Sequence, residues 1–399
     1  MMGSASWYPV RPARLPLSRP NRLRRVLQVT LCAVGALFCL PTPAFADPTS
    51  ELIRSLQLVA APAAVKQRPN WRVPHKVMLL EFGRQDWAPR QAQFAAAAAH
   101  TQVVVVHNMS EALAQAPGTD VLVGFNPEIC APPLLSAATD LRWIESLAAG
   151  VENCLAVPGL RERALLLTNM RAVDAAVIAE HAIALTLALA HGLDVFAIDT
   201  ANAQWNGVHG TSTPMQTLDG KTLLVVGLGG IGTEVARRAH GLGMTVVATR
   251  DGDRKGPPFV SHIGTPAELA TLAKSADVIV SCVPQTPTTQ GMFNARFFAL
   301  LKPTAYFVNI SRGGTMVMAD LTQALVDRRL AGAGLDVADP EPLPADNPLW
   351  HAPHVIITPH ISSRSDLPGE GRWIVARENL RRYALGERML NVVDQARGY

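Results

Sequence analysis

Three side chains in the last quarter of the sequence have the types needed to move a proton beside a bound anion. Arg312 follows the apolar run "AYFVNIS", Glu341 lies shortly after "GAGLDV", and His360 ends the run "VIITPH". A guanidinium is planar and matches a carboxylate, and an imidazole can give or take a proton near neutral pH. A neighbouring carboxylate would favour the protonated imidazole. Together the three could hold a 2-oxo acid and protonate its carbonyl oxygen, although Glu341 could also be a plain loop acid before Pro342.

A glycine-rich turn supplies the other half of a reduction. Gly227, Gly229 and Gly232 have G-x-G-x-x-G spacing between an apolar run and a helical stretch, and Gly230 and Ile231 complete the expected cofactor loop. The first glycine permits a tight turn, the second lets the backbone approach a pyrophosphate, and the third lets helix and strand pack closely. The free N–H groups at the helix start then face the phosphates. The pattern predicts a nicotinamide dinucleotide as cofactor.

The residue that should contact the adenosine ribose is Arg250, at the end of the next strand. An acid at this position grips the ribose hydroxyls of NAD, whereas an arginine suits the 2′-phosphate of NADP. Arg254 and Lys255 follow closely, and Asp251 is adjacent. We therefore expect a preference for NADP(H) over NAD(H), and the alternative is a solvated surface arginine.

Two series of alternating strands and helices must position these residues. Five short β-rich runs lie between residues 76 and 169, and six, nearly all continuously apolar, lie between 222 and 360. Apolar runs of this kind are typical of parallel strands covered on both faces. An Ala- and Leu-rich helix, roughly 174 to 192, separates the two series. The alternation predicts an α/β fold of two doubly wound parallel-sheet domains.

The first 46 residues have a different composition from the rest. They contain six arginines and no acid, then a short apolar run, then "PTPAFA". This order is typical of a secretory signal cut after Ala46, and it predicts an exported, periplasmic protein. Losing six arginines would turn the formal charge of +4 into −2, so the charge gives no reason to expect nucleic acid or a membrane as a partner of the mature chain. The alternative is an amphipathic or disordered tail from a misplaced start on a cytoplasmic protein.

Cysteine usage points to packing. Cys32 and Cys39 fall in the leader, which leaves Cys130, Cys154 and Cys282. An odd, scattered trio predicts neither a disulfide framework nor a metal site, so each is expected to be a core residue. No His, Cys and Asp spacing suggests a metal, and His181 on the apolar helix is expected to be a satisfied core residue.

The motifs together resemble the D-isomer-specific 2-hydroxyacid dehydrogenase family, which includes glyoxylate/hydroxypyruvate reductases. The resemblance covers about residues 75 to 399. It is carried by "WIESLAAGVE", "NMRAVDAAVIAEHAIALTLALA", "GKTLLVVGLGGIG", "ADVIVSCVPQTPTTQGMFN", "LKPTAYFVNISRGG", "GAGLDVADPEPLPADNPLWHAPHVIITPHIS" and "ENLRRYALGERMLNVVD".

The resemblance implies roles for single residues. Arg312 would bind substrate, Glu341 would tune the acid/base, and His360 would be that acid/base. The N–H groups of Ala149 and Gly150 would hold the substrate carboxylate. The residues expected around the cofactor are Asp336, near the nicotinamide amide, and Pro284 and Thr289, in the wall of the adenosine pocket.

Some positions depart from the family pattern. Ala148 and Glu152 replace a glycine and an aspartate in the substrate loop, and Ala338 stands where an aromatic residue is common. The first two differences suggest changed loop flexibility and substrate range, and Ala338 suggests looser packing at its position. Arg250 in place of the common acid agrees with the cofactor argument.

The resulting expectation is a substrate domain of flavodoxin type, residues 75–172 plus 361–399, with a Rossmann NAD(P) domain, 173–360, inserted in it. Residues 1–46 would be the signal peptide and 47–74 a lead-in segment. The expected activity is hydride transfer between NADP(H), or NAD(H), and a small 2-oxo or D-2-hydroxy acid such as glyoxylate or hydroxypyruvate. The family also suggests a homodimer, through the helix and loop from 174 to 215. Alternatives are a nucleotide-sensing binding protein on a dehydrogenase fold or a phosphite- or formate-type dehydrogenase, although Glu341, in place of an amide, speaks against formate.

Overall fold

Two parallel β-sheets carry the residues of interest. The computed structural model describes residues 48–82, 88–365 and 369–399, so the expected leader lies outside the described residues. The first sheet has the order β2-β1-β3-β4-β5. Its strands are β1 Lys76–Leu80, β2 Gln102–Val106, β3 Val121–Gly124, β4 Trp143–Ser146 and β5 Leu166–Thr168. All four pairings are parallel, which confirms the flavodoxin-like expectation for this part of the chain.

The second sheet has seven parallel strands in the order β12-β11-β10-β9-β6-β7-β8. Its strands are β6 Thr222–Val226, β7 Thr245–Thr249, β8 His262–Gly264, β9 Val278–Ser281, β10 Tyr306–Asn309, β11 Gly332–Leu335 and β12 Val355–Ile357. The strand order reverses between β6 and β9, which is where a doubly wound sheet binds its ligand. The Rossmann expectation is therefore confirmed. Sequence analysis counted six strands because β8, with the sequence His-Ile-Gly, has one large apolar side chain and forms no apolar run.

Helices cover both sheets. The α-helices are α1 Pro48–Ser55, α2 Ala88–Ala97, α3 Met109–Gln115, α4 Pro132–Ala137, α5 Glu152–Leu155, α6 Ala175–Ala190, α7 Leu193–Ala201, α8 Gly207–Ser212, α9 Gly230–Gly241, α10 Leu269–Ser275, α11 Ala295–Phe298, α12 Met318–Val326 and α13 Glu370–Ala384. Short 3-10 turns lie at Val65–Gln67, Glu128–Cys130, Pro266–Glu268, Gly313–Thr315 and Pro348–His351. Helices α6 and α9 pack on one face of the second sheet, and the phenylalanines of α11 pack on the other.

The chain returns to the first sheet at its end. Trp373, Leu380 and Tyr383 of α13 share a core with Val77 of β1 and Trp143 of β4. The rings of Trp143 and Tyr383 stack at 5.0 Å. The first sheet thus depends on residues from both ends of the described chain. The domain boundaries expected from the sequence remain predictions.

Helix lengths bear on membrane contact. In the described part of the chain no single helix is long and apolar enough to cross a membrane, and the pair α6 and α7, which would suffice together by length and composition, bends by 78° at its break.

A buried carboxyl group ties α13 to β4. Glu145 is fully buried, and its Oε2 accepts hydrogen bonds of 2.9 Å from Thr168 Oγ1 and of 2.9 Å from Asn379 Nδ2. Its Oε1 has no hydrogen-bond partner among the described residues. Burial raises the pKa of Glu145 to about 8, and the two hydrogen bonds only partly oppose this. The group is therefore neutral in the folded protein at neutral pH.

The raised pKa predicts that folding stability falls with rising pH. Glu145 keeps its proton in the folded state up to about pH 8 but loses it in the unfolded chain near pH 4.5. The stability that the neutral, buried Glu145 contributes is complete below pH 4.5 and decreases as the pH rises from 4.5 to about 8. The free energy of unfolding of Glu145→Gln, relative to that of the wild type, should rise by about 3–4 kcal/mol between pH 5 and pH 8. Urea denaturation at both pH values measures this, with Glu51→Gln, an exposed acid on α1, as control. A difference that does not change with pH would contradict the prediction.

Candidate active site

The ends of β11 and β12 bring an acid and an imidazole together. Glu341 Oε2 lies 2.8 Å from His360 Nδ1. Burial disfavours the charged form of Glu341, but the hydrogen bond from His360, the backbone N–H of Ala338 and the charges of His360 and Arg312 outweigh it, so its pKa lies below the ordinary value. The ionised acid can orient the imidazole. Arg312 follows β10, which pairs in register with β11, so it lies at the same edge of the sheet.

The backbone of His360 has a left-handed conformation, with φ of 52°. This region is uncommon for residues other than glycine and costs about 1–3 kcal/mol. The N–H of His360 donates to Asp336 O at 2.8 Å and to Thr358 O at 3.0 Å. Tertiary contacts therefore hold the conformation that presents the ring.

Asp336 organises the loop around His360. Its buried carboxylate accepts hydrogen bonds from Thr358 Oγ1 at 2.6 Å, from the Ile361 N–H at 2.9 Å and from the Ser362 N–H at 3.0 Å. Burial opposes ionisation of Asp336, yet the hydrogen bonds from Ser362, Thr358 and Ile361 keep its pKa below the ordinary value. Its expected contact with the nicotinamide amide remains a prediction. The structure adds a positioning role that the sequence did not suggest.

His181 lies below the same loop. From α6 its Nε2 contacts Thr358 Oγ1 at 2.8 Å and lies 3.7 Å from Asp336 Oδ1. The residue is satisfied, as the sequence suggested, but by the loop that holds His360 rather than by the helix core.

Arg312 follows β10 and contacts a carboxylate from the first sheet's side of the site. Its Nε lies 3.2 Å from Glu152 Oε1, and its Nη1 donates to Ser311 O at 2.7 Å. A side chain added at Gly150 would collide with Arg312 Nη2. The guanidinium therefore lies directly over the loop that the sequence predicted to hold the substrate carboxylate.

The backbone carbonyl groups of the loop 148–150 all accept hydrogen bonds. Ala148 O accepts from the Met170 N–H, Ala149 O from Asn169 Nδ2 at 2.7 Å and Gly150 O from Asn126 Nδ2 at 2.7 Å. In the described chain no acceptor is found for the N–H groups of Ala149 and Gly150. A pair of unpaired N–H groups beside a guanidinium is suited to bind an anion.

The glycine-rich turn has the geometry of a phosphate site. Gly227 has φ of 97°, and a Cβ there would lie 2.9 Å from Cys282 O. A Cβ on Gly232 would lie 2.3 Å from Gly227 O, whereas a Cβ on Gly229 would meet no atom within 4 Å. Helix α9 begins at Gly230 without a side-chain cap, so its first N–H groups are available to a pyrophosphate. These residues fit a dinucleotide cofactor.

The remaining predicted cofactor residues flank this turn. Thr289 Oγ1 donates to Pro284 O at 2.7 Å and accepts from the Thr286 N–H at 2.8 Å, so Thr289 braces the loop after β9. Arg250 follows β7, and its Nη1 donates to Lys255 O at 2.9 Å. Ile231 lies in the first turn of α9 and packs against the core shared by α6 and α9.

The cysteine expectation was wrong for two of the three residues. Cys130 and Cys154 form a disulfide, with 5.1 Å between their Cα atoms. They are 24 residues apart in sequence, but the loops that follow the neighbouring strands β3 and β4 bring them together. Cys282 is free, and burial raises the pKa of its thiol, which agrees with a packing role. Within the described ranges no group of His, Cys, Asp and Glu could hold a metal ion.

Comparison with known proteins assigns the family. The chain is 33% identical over 257 residues to the glyoxylate reductase/hydroxypyruvate reductase of Mus musculus, a match that covers 64% of this chain and 77% of the mouse protein. The chain belongs to the D-isomer-specific 2-hydroxyacid dehydrogenase family. Residues 183–362 match the model of the family's NAD binding domain.

Solved structures of this dehydrogenase family share the fold. A family protein from Aeromonas salmonicida has a TM-score of 0.68 and 30% identity, covering 80% of this chain and 99% of that one. The NADPH-dependent glyoxylate/hydroxypyruvate reductase of Sinorhizobium meliloti, solved with NADP and sulfate, has a TM-score of 0.66 and 27% identity, covering 81% of this chain and 99% of its own. The chain is therefore a nicotinamide-dependent hydroxyacid oxidoreductase, as the sequence predicted.

Sequence analysis of this dehydrogenase missed two residues that donate hydrogen bonds to the loop 148–150, which it predicted to hold the substrate carboxylate. Asn126 and Asn169 were not assigned a function, although each follows an apolar run at the carboxyl end of a strand. An amide in that position is a recognisable signal, because strand ends of a parallel sheet meet at one edge. The ion pair between Glu152 and Arg312 could not be predicted in this way, because it forms between a loop of the first sheet and a loop of the second.

The ion pair between Glu152 and Arg312 predicts competition with an anionic substrate. In Glu152→Gln the guanidinium loses a competing carboxylate, so KM for a 2-oxo acid should fall about 3- to 5-fold while kcat changes by less than about twofold. Steady-state kinetics measure both constants. Glu162→Gln, an exposed acid ten residues further on, should leave both unchanged. A higher KM in Glu152→Gln would mean instead that Glu152 holds Arg312 in its binding position.

Proposed function

We propose that this protein reduces small 2-oxo acids, glyoxylate and hydroxypyruvate foremost, to D-2-hydroxy acids with NADPH as the preferred cofactor. The observation that carries the proposal is the contact between Glu341 and His360 at the sheet edge where β10 also ends, just before Arg312. The mouse relative and the Sinorhizobium meliloti reductase are named for glyoxylate and hydroxypyruvate, which supports these two substrates.

Each residue has a distinct task in this proposal. A bound nicotinamide supplies the hydride to the carbonyl carbon. The N–H groups of Ala149 and Gly150 and the guanidinium of Arg312 hold the substrate carboxylate, and Arg312 also polarises the keto oxygen. His360 gives its proton to that oxygen. Glu341 acts through His360 by keeping its ring oriented.

The cofactor preference rests on Arg250. It occupies the position where an acid would accept the ribose hydroxyls of NAD, and it can instead pair with a 2′-phosphate. Arg254 and Lys255 add positive charge to the same loop. The Sinorhizobium meliloti reductase is NADPH-dependent, which supports the same preference.

The catalytic assignment predicts the effect of two substitutions. NADPH oxidation should be fastest with glyoxylate or hydroxypyruvate among a set that includes pyruvate, larger 2-oxo acids, phosphite and formate. His360→Ala should lower kcat about 100- to 10,000-fold with NADPH binding retained, because it removes the proton donor. Glu341→Gln should lower kcat less than His360→Ala does, because it removes the charged group that orients the ring but leaves the proton donor in place.

The controls separate this proposal from its alternatives. His351→Ala removes an exposed imidazole nine residues before His360 and should leave the rate unchanged. An undiminished rate in His360→Ala would remove the assigned proton donor. Intact NADPH binding without turnover of any compound in the wild type would instead indicate a nucleotide-sensing protein.

We also propose that the protein is exported and acts as a homodimer. The leader pattern of residues 1–46 supports export, and so does the disulfide, since disulfides persist in oxidising compartments. The paired arginines at 24 and 25 suit a route that carries folded, cofactor-bound proteins. Support for the dimer comes from exposed apolar side chains on and around α7 and α8, namely Leu193, Ile198, Trp205, Val208 and Met215.

One measurement covers export and assembly. Native mass spectrometry of the protein from its own cells should give twice the mass of residues 47–399, less two hydrogen atoms per chain for the disulfide. Denaturing spectra before and after reduction count the disulfide, and peptide mapping without reduction assigns it to Cys130 and Cys154. A chain that retains residues 1–46 with free thiols would place the protein in the cytoplasm, and a monomer mass would remove the proposed dimer.

A further inference from the structure

The last seven residues of the sequence, 393–399, form a strap that starts on the first sheet. The N–H of Val393 donates to Leu167 O at 2.9 Å, which extends the edge of β5. Gln395 Nε2 donates to Leu165 O at 2.7 Å. The base of the strap is thereby fixed to the first sheet, which also carries the loop 148–150.

A turn fixes the shape of the strap beyond this base. Asp394 Oδ1 accepts from the N–H groups of Ala396 at 3.0 Å and Arg397 at 3.1 Å, and Asp394 O accepts from the Gly398 N–H at 2.8 Å. An aspartate that binds the following N–H groups in this way stabilises a turn. Arg397 and Tyr399 are therefore presented by an ordered backbone.

The tip of the strap contacts the loop that follows β7 of the second sheet. Arg397 Nη2 lies 2.7 Å from Asp251 Oδ2, and the Tyr399 hydroxyl donates to the same oxygen at 3.2 Å. A Cβ on Gly398 would lie 3.6 Å from Thr286 Cγ2 and 4.0 Å from Leu155 Cδ1. The tip thus lies between α5 and the loop that Thr289 braces. Hydrogen bonds from Arg397 and Tyr399 hold the pKa of Asp251 below its ordinary value.

Asp251 occupies a position that matters for the cofactor. It follows Arg250 directly after β7, where a dinucleotide fold meets the adenosine ribose. The loop 250–255 contains the cations Arg250, Arg254 and Lys255 and the acids Asp251 and Asp253. An ionised Asp251 beside Arg250 would repel a ribose 2′-phosphate. The strap pairs this acid with the guanidinium of Arg397.

We propose that Arg397 is a second cationic ligand of the ribose 2′-phosphate of NADP(H), delivered by the strap from the first sheet's part of the chain. This inference rests on the proposed NADP(H) preference and adds a residue to it. Arg397 contacts Asp251 through Nη2, and a guanidinium has five N–H donors. It can therefore neutralise Asp251 and bind a phosphate together. NADP(H) would then be recognised by residues about 150 positions apart, in both parts of the molecule.

Two nucleotide fragments isolate the 2′-phosphate. Isothermal titration of the purified full chain with 2′,5′-ADP and with 5′-AMP measures binding without turnover. Arg397→Gln should weaken 2′,5′-ADP about 5- to 10-fold, as expected for an exposed charge-assisted contact, and change 5′-AMP less than about twofold. Arg397→Lys should recover part of the loss. Hydrogen exchange should show that 2′,5′-ADP, but not 5′-AMP, protects the backbone N–H groups of residues 396–399.

A matched control is available on the same molecule. Arg329 pairs with Asp327 at 2.7 Å, and its side chain is 47% exposed, as is that of Arg397. Arg329→Gln should leave both fragments' affinities unchanged. Unchanged 2′,5′-ADP binding in Arg397→Gln, or an equal loss for both fragments, would overturn the role of Arg397.

A third variant distinguishes failure of this inference from failure of the cofactor proposal. If Arg250→Gln weakens 2′,5′-ADP selectively and Arg397→Gln does not, the NADP(H) preference stands and the strap has no part in it. If the wild type binds 2′,5′-ADP no more tightly than 5′-AMP, both proposals fail.

Discussion

The in-register parallel pairing of β10, β11 and β12 brings Arg312, Glu341 and His360 to one edge of the second sheet. These residues span almost fifty positions in the sequence, and parallel strands end at a common edge because every strand runs in the same direction. The same edge carries the glycine turn after β6, since β6 and β9 flank the reversal in strand order. The site therefore depends on the sheet order more than on any local motif. A change in that order would separate the guanidinium from the imidazole while leaving each strand intact.

Carboxylates around this edge perform different tasks because their surroundings differ. Asp336 is buried and fully hydrogen-bonded, so it shapes the loop that carries His360. Glu341 is partly exposed and contacts the imidazole itself. Glu152 comes from the first sheet's side and pairs with Arg312. The positive charge of Arg312 is thus balanced by the carboxylate of Glu152. A substrate carboxylate must displace Glu152 or bind Arg312 beside it.

Covalent and polar links support the loops between the two sheets. The disulfide between Cys130 and Cys154 joins the turn after β3 to α5, which begins at Glu152. Asn126 and Asn169 hold the carbonyl groups of the substrate loop and leave its N–H groups available. The strap adds a contact with Asp251, which follows β7. The candidate site therefore draws on residues of both sheets, which is consistent with a chain that returns to the first sheet in α13.

The sequence alone determined the fold class, the cofactor loop and the identities of the candidate catalytic residues. Continuous apolar runs and glycine spacing are local consequences of backbone geometry and burial, so they can be recognised without coordinates. Only the tertiary structure decided which groups meet. Four contacts join residues that are far apart in the chain or lie in different sheets. They are the disulfide, the Glu152–Arg312 pair, the contact of His181 with the loop that carries His360, and the contact of the strap with Asp251. Their formation depends on sheet order and loop path, and no residue type or spacing encodes a distance between such groups. The edge strand β8 was missed for a local reason, because its sequence, His-Ile-Gly, forms no apolar run, whereas the equally short strands β5 and β12 do.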